Sequence, residues 1–267
     1  MSMTIGSVPY LNEKPLTRWF SHTAEGRGSG IDVIYAVPSE LARMLRAGEI
    51  AAALVSSFEY FRTPGYVVAP GVSISGQDEI LSVRAFSRVP WRQAESLALD
   101  TSSLTSAALV KILLAQQFDA HPAFLNHAPD LPAMLEIADA ALLIGDKGMM
   151  AKSEELITLD LGSAWRKLTG LPFVYAVWMG TPEGITPQLT AALQAARDWG
   201  VTQIDEIVPE EARRIGCSER LVRHYLTRVM DYALDEEHVR ALTLFAQKAR
   251  REGLLPEPPQ PVDIAPG

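Results

Sequence analysis

Residues Thr101, Ser102, Ser103, Thr105 and Ser106 place five hydroxyls within six positions. They follow a short apolar run ending at Asp100 and precede the dense apolar spacing of Ala107 to Leu114. Strand, hydroxyl-rich turn and helix in that order gather side-chain donors around one helix N-terminus. The first N–H groups of a helix are unpaired and sit at the positive end of its dipole, so such a terminus suits an anion. One or two hydroxyls would serve as caps, and five exceed what a cap requires. The pattern points to a carboxylate or phosphate site. Tyr10-Leu11-Asn12 and Ser56-Ser57 stand at the carboxyl ends of two further predicted strands. Singly they read as turn residues; facing the hydroxyl turn they make one convergent polar site. Gly145-Asp146-Lys147-Gly148, after an apolar run, is either a phosphate turn or a plain turn, because it lacks the full phosphate-loop pattern.

The elements that must position these groups are legible as an α/β alternation. Thr4 to Val8 predicts a first strand, with a helix beginning near Pro15. Ile31 to Val37 predicts a second strand, followed by a helix with Leu41, Met44 and Leu45 on one face and Gly48 at its end. Ile50 to Val55 predicts a third. This opening implies a parallel sheet with ligand contacts at its carboxyl edge. Tyr66 to Ile74 and Glu79 to Phe86 read as extended segments either side of a Gly76-Gln77-Asp78 turn. From Ser96 a second series begins, with strands near Ala123 to His127, Ala140 to Ile144 and Leu156 to Asp160, and a helix around Leu131 to Ala138. Phe173 to Met179 reads as the return to the first wall. Helices then follow over Pro187 to Trp199, Ile204 to Ile215, Glu219 to Tyr232 and Glu236 to Arg251. The predicted architecture is an α/β, two-domain, periplasmic-binding-protein-like fold of type 2, with a helical C-terminal part. Residues 1–87 and 174–267 form a discontinuous first domain and 88–173 an inserted second one. The ligand of such a fold lies in the cleft between domains, which close by a hinge motion.

The composition narrows the chemistry. A net charge of −8 argues against nonspecific nucleic-acid binding and against an anionic membrane surface. An anionic ligand would then need local donors. The single cysteine, Cys217, excludes an internal disulfide and a cysteine-based zinc site. The N-terminal segment has no signal-like apolar region and no run has the length of a membrane span, which predicts a cytoplasmic protein. The five histidines show no metal spacing; His127, at a predicted strand end, is the one nearest a candidate role. EARRIGCSERLVRHY, Glu211 to Tyr225, has the offsets of a helix-turn-helix. Its acidic residues offset its arginines, so it reads as a structural corner over the first domain. These observations stop at a two-domain protein whose cleft binds a small anion, either a binding protein or an enzyme.

VPYLNEKPL, DEILSVRAFS, LALDTSSLTSAALVKILL, DAALLIGDKG and DLGSAWRKLTGLPFVYAVW, in that order, resemble the chorismate dehydratases of the futalosine route to menaquinone. The resemblance spans Ile5 to Leu254. It implies the same two-domain fold and conversion of chorismate to 3-[(1-carboxyvinyl)oxy]benzoate plus water, a hydro-lyase reaction. By resemblance, Asn12 and Ser82 lie close to the reacting carbons as catalytic hydrogen-bonding groups. Ser57, Ser103, Thr105, Ser106, Gly145 and Asp146 are the expected substrate-binding residues. No metal or organic cofactor is required for a dehydration whose product is aromatic. No base stands in an obvious position, so the substrate's enolpyruvyl carboxylate is expected to take the proton, with Asp146 as the alternative. Ala51 and Ser56 depart from the Asp and Pro usual in the family there, which puts the Ser56-Ser57 contact in doubt. The alternatives are the sister enzyme of the same route, 1,4-dihydroxy-6-naphthoate synthase, and a non-catalytic small-carboxylate binding protein. The sister carries His-Glu where this chain has Gly145-Asp146.

Overall fold

The computed structural model describes residues 3–100, 102, 104–152, 154–256 and 260–266. The chain opens with β1 (Met3–Ser7) and a short 3-10 turn over Leu11–Glu13, which runs directly into α1 (Lys14–His22) and then α2 (Ala24–Gly28). Next come β2 (Ile31–Tyr35), α3 (Pro38–Arg46), β3 (Ala52–Ser56), α4 (Ser57–Arg62) and the long β4 (Val67–Gly76). The second series holds β5 (Arg84–Ser87), β6 (Ser96–Asp100), α5 (Leu104–Phe118), β7 (Ala123–His127) and α6 (Leu131–Ile137). It continues with β8 (Ala140–Leu143), α7 (Gly145–Met150), β9 (Ile157–Asp160) and α8 (Leu161–Thr169). The chain returns through β10 (Phe173–Gly180), α9 (Pro187–Thr202), α10 (Ile204–Ile215) and α11 (Glu219–His224). It ends with β11 (Met230–Asp231) and α12 (Glu236–Arg251). No helix among the described residues is long and apolar enough to cross a membrane.

Two sheets result. The first has the order β11-β4-β10-β3-β1-β2, parallel across β3-β1-β2 and antiparallel where β10 meets β3 and β4. The second has the order β7-β6-β8-β5-β9, parallel across β7-β6-β8. β5 pairs antiparallel with β8 and β9, so it belongs to the second sheet. The chain therefore crosses between Gly76 and Arg84, ahead of the division after residue 87 expected from sequence. Short β5 carries no periodicity that could assign it to a sheet; its pairing partners lie more than fifty residues downstream. The return crossing lies between Thr169 at the end of α8 and Phe173 at the start of β10.

Most of the buried apolar side chains form one cluster that runs through both sheets, with a smaller one around Phe86, Met134 and Leu143. α5 is apolar nearly all round because it is enclosed, packing on α8, α4, α12 and β10. Leu109, Ile112 and Leu113 have no solvent exposure, and each such side chain contributes about 1.5–3 kcal/mol. This helix of the second unit thus seats on helices of the first, next to the carboxyl ends of β1, β3, β6 and β8.

Candidate active site

Those strand ends surround a cleft of about 630 Å³, part of it open to solvent. Tyr10 and Asn12 follow β1, Ser56 ends β3, Ser102 follows β6, Thr105 and Ser106 open α5, and Ile144 and Gly145 follow β8. Ile74, Tyr175 and Ala176 enter from the crossing strands, and Ile80, Ser82 and Val83 from the link between the sheets. Among the described lining residues none is a carboxylate, an imidazole or an amine. Burial pushes the Tyr10 phenol above its ordinary value, against a hydrogen bond with Ser102. Burial raises Tyr175 further, and its hydroxyl has no hydrogen-bond partner among the described residues. Both phenols are therefore neutral donors near pH 7. A ligand here is met by neutral hydrogen-bonding groups on an apolar wall, not by ion pairs.

Ser82 is presented by a held turn. Asp160 accepts the backbone N–H of Ile80 at 3.0 Å and of Leu81 at 2.8 Å, while capping α8 through Ser163 N–H at 3.0 Å. Leu81 takes φ 59°, a left-handed conformation unusual for leucine. Gly148 allows the approach from the other side, since a Cβ there would stand 2.4 Å from the Ser82 carbonyl oxygen. The Ser82 side chain is buried, and its Oγ accepts a hydrogen bond from the Tyr225 hydroxyl at 2.8 Å. Asn12 sits on the 3-10 turn after β1, and its amide is near enough to the Tyr225 phenol to oppose the rise that burial causes there. Asn12 Oδ1 is buried without a partner among the described residues. Such an atom costs about 1–3 kcal/mol unless something satisfies it, which makes Asn12 Oδ1 a candidate ligand contact.

The start of α5 is rearranged relative to the sequence reading. Thr101 and Ser103 lie outside the described residues. The Thr105 hydroxyl donates to the Tyr175 carbonyl at 3.1 Å, accepts from Phe58 N–H at 3.2 Å and pairs with Ser56 Oγ. A hydroxyl has one hydrogen and two lone pairs, so Thr105 is fully occupied joining α5 to β3, α4 and β10. It ties the two units together instead of donating to a ligand. Ser57 is fully buried and donates to the Val174 carbonyl at 2.7 Å; Ser56, not Ser57, lines the cleft. Ser106 keeps its expected place on the wall, beside the backbone N–H groups that open α5.

The chain matches, over residues 3–251, the model of a family described as menaquinone biosynthesis. It is 32% identical over 262 residues to a chorismate dehydratase of Thermus thermophilus, covering 91% of this chain and 93% of that protein. The chain belongs to this family. A chorismate dehydratase of Campylobacter jejuni is 25% identical over 254 residues, covering 93% of this chain and 98% of the other. Among solved structures, a protein from Archaeoglobus fulgidus superposes with a TM-score of 0.76 at 16% identity, covering 95% of this chain and 98% of that one. The periplasmic aliphatic sulphonate binding protein of Escherichia coli does so with a TM-score of 0.68 at 14% identity, covering 100% and 94%. The fold is thus periplasmic-binding-protein-like, as the strand and helix order had implied.

The five segments that carry the family resemblance supply Tyr10, Asn12, Ile80, Ser82, Ser102, Ser106, Gly145 and Tyr175 of the cleft wall. Gly145 takes φ 60° and lies under the Tyr10 ring, where a Cβ would be 3.5 Å from Tyr10 Cδ1. The expected Gly145–Gly148 turn is instead the first turn of α7. Asp146 is not on the cleft wall. Its Oδ1 accepts Leu11 N–H at 3.2 Å and its Oδ2 accepts Arg214 Nη2 at 2.7 Å, both from the first unit. Asp146 thus holds the two units together at the lip, which removes it from direct contact with a ligand. His127 bonds its neighbour's carbonyl at the end of β7, away from the cleft wall.

The helix corner read as a cover does more than cover. Arg214 on α10 reaches Asp146 and also Glu211, the latter at 2.6 Å. Tyr225, just after α11, is fully buried against Ser82 and Asn12. Local spacing gave no sign of either contact. The only available signal was a tyrosine and an arginine in a segment whose charges otherwise cancel.

Proposed function

We propose that this protein is a chorismate dehydratase, converting chorismate to 3-[(1-carboxyvinyl)oxy]benzoate and water within menaquinone biosynthesis, in the cytoplasm. The observation that carries the reading is the likeness of nearly the whole chain to two chorismate dehydratases. The cleft supports it chemically. The reaction removes the C3 proton and the C4 hydroxyl of chorismate and leaves an aromatic ring. Charge formed on deprotonation is conjugated with the ring carboxylate. The amides opening α5, with Ser106 beside them on the wall, would hold a carboxylate and stabilise that charge. Asn12 and Ser82 hold the hydroxyl-bearing carbon and steady the departing oxygen.

The proton at C3 goes to the substrate's own enolpyruvyl carboxylate. Two observations favour this over a protein base. The described wall has no carboxylate or imidazole, and Asp146 is engaged by Leu11 and Arg214. The carboxylic acid so formed returns that proton to the departing C4 hydroxyl, which leaves as water and restores the carboxylate, and aromaticity drives the step without a metal or organic cofactor. The test is incubation of purified, chelator-treated protein with chorismate, following ultraviolet absorbance and product mass. A product lighter by one water at an undiminished rate is expected. Binding without turnover would make this a small-carboxylate binding protein, and turnover of the nucleoside-derived precursor of 1,4-dihydroxy-6-naphthoate would select the sister enzyme.

A further inference from the structure

Tyr225 lies on the wide turn Tyr225–Val229 that joins α11 to β11. Its hydroxyl is enclosed between the two groups that face the reacting part of the cleft. The hydrogen goes to Ser82 Oγ at 2.8 Å, and the Asn12 amide faces the phenol oxygen. Burial raises the phenol well above its ordinary range, so it remains a donor at any pH the protein meets. The direction of the chain follows from counting hydrogens. Asn12 Oδ1 is buried and unpartnered among the described residues, which makes it an acceptor. Ser82 already accepts from Tyr225, and no described residue accepts the Ser82 hydrogen, so that hydrogen is a donor toward the cleft. One acceptor beside one donor is the complement of a single hydroxyl group. A carboxylate or ether oxygen in the same place would set an acceptor against Asn12 Oδ1.

We infer that Tyr225 is a positioning residue that fixes the hydrogen-bond polarity of Asn12 and Ser82, so that together they read the substrate's leaving hydroxyl. The inference rests on the dehydratase reading above. Tyr225 never touches the substrate; it acts through Ser82 and Asn12. Without its hydroxyl, Ser82 can turn its hydrogen toward Asn12 Oδ1 and quench both contacts at once.

The test is a cycle of Tyr225→Phe, Ser82→Ala and the double variant in the full chain, followed by single-turnover rates and chorismate affinity. Tyr225→Phe should lower the chemical step about tenfold with affinity within about threefold of wild type. In the Ser82→Ala background it should cost no more than about twofold, because the hydroxyl that would turn toward Asn12 Oδ1 is gone. A wild-type rate for Tyr225→Phe overturns the inference, as do losses that multiply in the double variant. A merely structural tyrosine would give the multiplying pattern. Should Tyr225→Phe fold poorly, 3-fluorotyrosine at 225 keeps the ring volume and strengthens the donor; a rate at or above wild type supports the role, and a fall rejects it. Wild-type protein that leaves chorismate unchanged rejects the dehydratase reading, and this role with it, whereas the variant arms reject the role alone.

Discussion

At Asn12 and Ser82 the cleft holds an acceptor and a donor already placed by the fold, and preorganised groups of this kind contribute most in the transition state. Asn12→Ala and Ser82→Ala should each lower the single-turnover rate by about 10²–10³ while affecting chorismate affinity far less. Equal losses in rate and affinity would show that the two residues only bind. Neither role was legible from spacing; both came from the family resemblance, because their shared partner Tyr225 lies 143 residues from Ser82. Next to Asn12, Glu13 is fully buried, and that burial lifts its carboxyl to about 7 against the pull of Lys14 at 2.8 Å and of Thr17, with Glu211 adding to the rise. An acid whose folded pKa exceeds its unfolded value of 4.5 holds its proton more tightly when folded. Its contribution to stability is full below that value and is lost as pH rises through about 7. Urea unfolding of wild type should thus show stability declining over that window from this group, by up to about 3 kcal/mol. Glu13→Gln should flatten the decline, and an unchanged pH profile in the variant would reject this account.

At the level of elements, the long periodic segments were readable and the short joined ones were not. α10 and α12 fall where apolar spacing puts them, because each presents one face to a large core. The helix expected over Glu219 to Tyr232 is α-helical to His224 and widens to a π-helical turn over Tyr225–Val229, and it stops there because Met230 and Asp231 pair with Gly76 and Ser75 at the sheet edge. Edge pairing supplied by a distant strand overrides a local helical pattern. The extended run expected over Glu79 to Phe86 is a strand only from Arg84, because Asp160 draws the Ile80 and Leu81 N–H groups into a turn. Arg84, from the same motif, is turned away from the cleft and donates to the Gly148, Met149 and Ala151 carbonyls at the end of α7. A cation there opposes the negative end of the helix. The Asp160 clamp is what makes a loop precise enough to present Ser82. Asp160→Ala should remove a helix cap and strand two buried N–H groups, costing about 2–4 kcal/mol. Asp160→Asn, which retains one acceptor oxygen, should cost less and recover part of the catalytic rate. Thermal melts and turnover of the two variants check this; equal damage from both would mean that the carboxylate matters for its charge and not for the turn.

For the whole molecule, the question is what opposes opening of the two units. α5 is seated on α4 and α12 through apolar contacts, and the Thr105 hydroxyl knots β3, α4 and β10 at its start. Water would have to enter an apolar interface to part the units there, so that region is the pivot. The polar contacts that cross the lip are separate from it. They are the bonds of Leu11 N–H and Arg214 to Asp146. Arg214 is 42% and Asp146 22% exposed, so solvent screens the pair, and it is worth only about 0.5–1 kcal/mol. That is a suitable size for a latch, because it biases closure severalfold without trapping product. Arg214→Ala should therefore raise KM about two- to fivefold and leave the single-turnover rate of bound chorismate unchanged. High salt should bring the wild type toward the variant, since screening weakens the same contact. Asp146→Asn keeps an acceptor for Leu11 N–H and should behave like Arg214→Ala. Solution scattering without substrate should show both variants more extended than wild type. Near-complete inactivation by Asp146→Asn, in a protein that still folds, binds and closes, would overturn the latch and return Asp146 to the position of base.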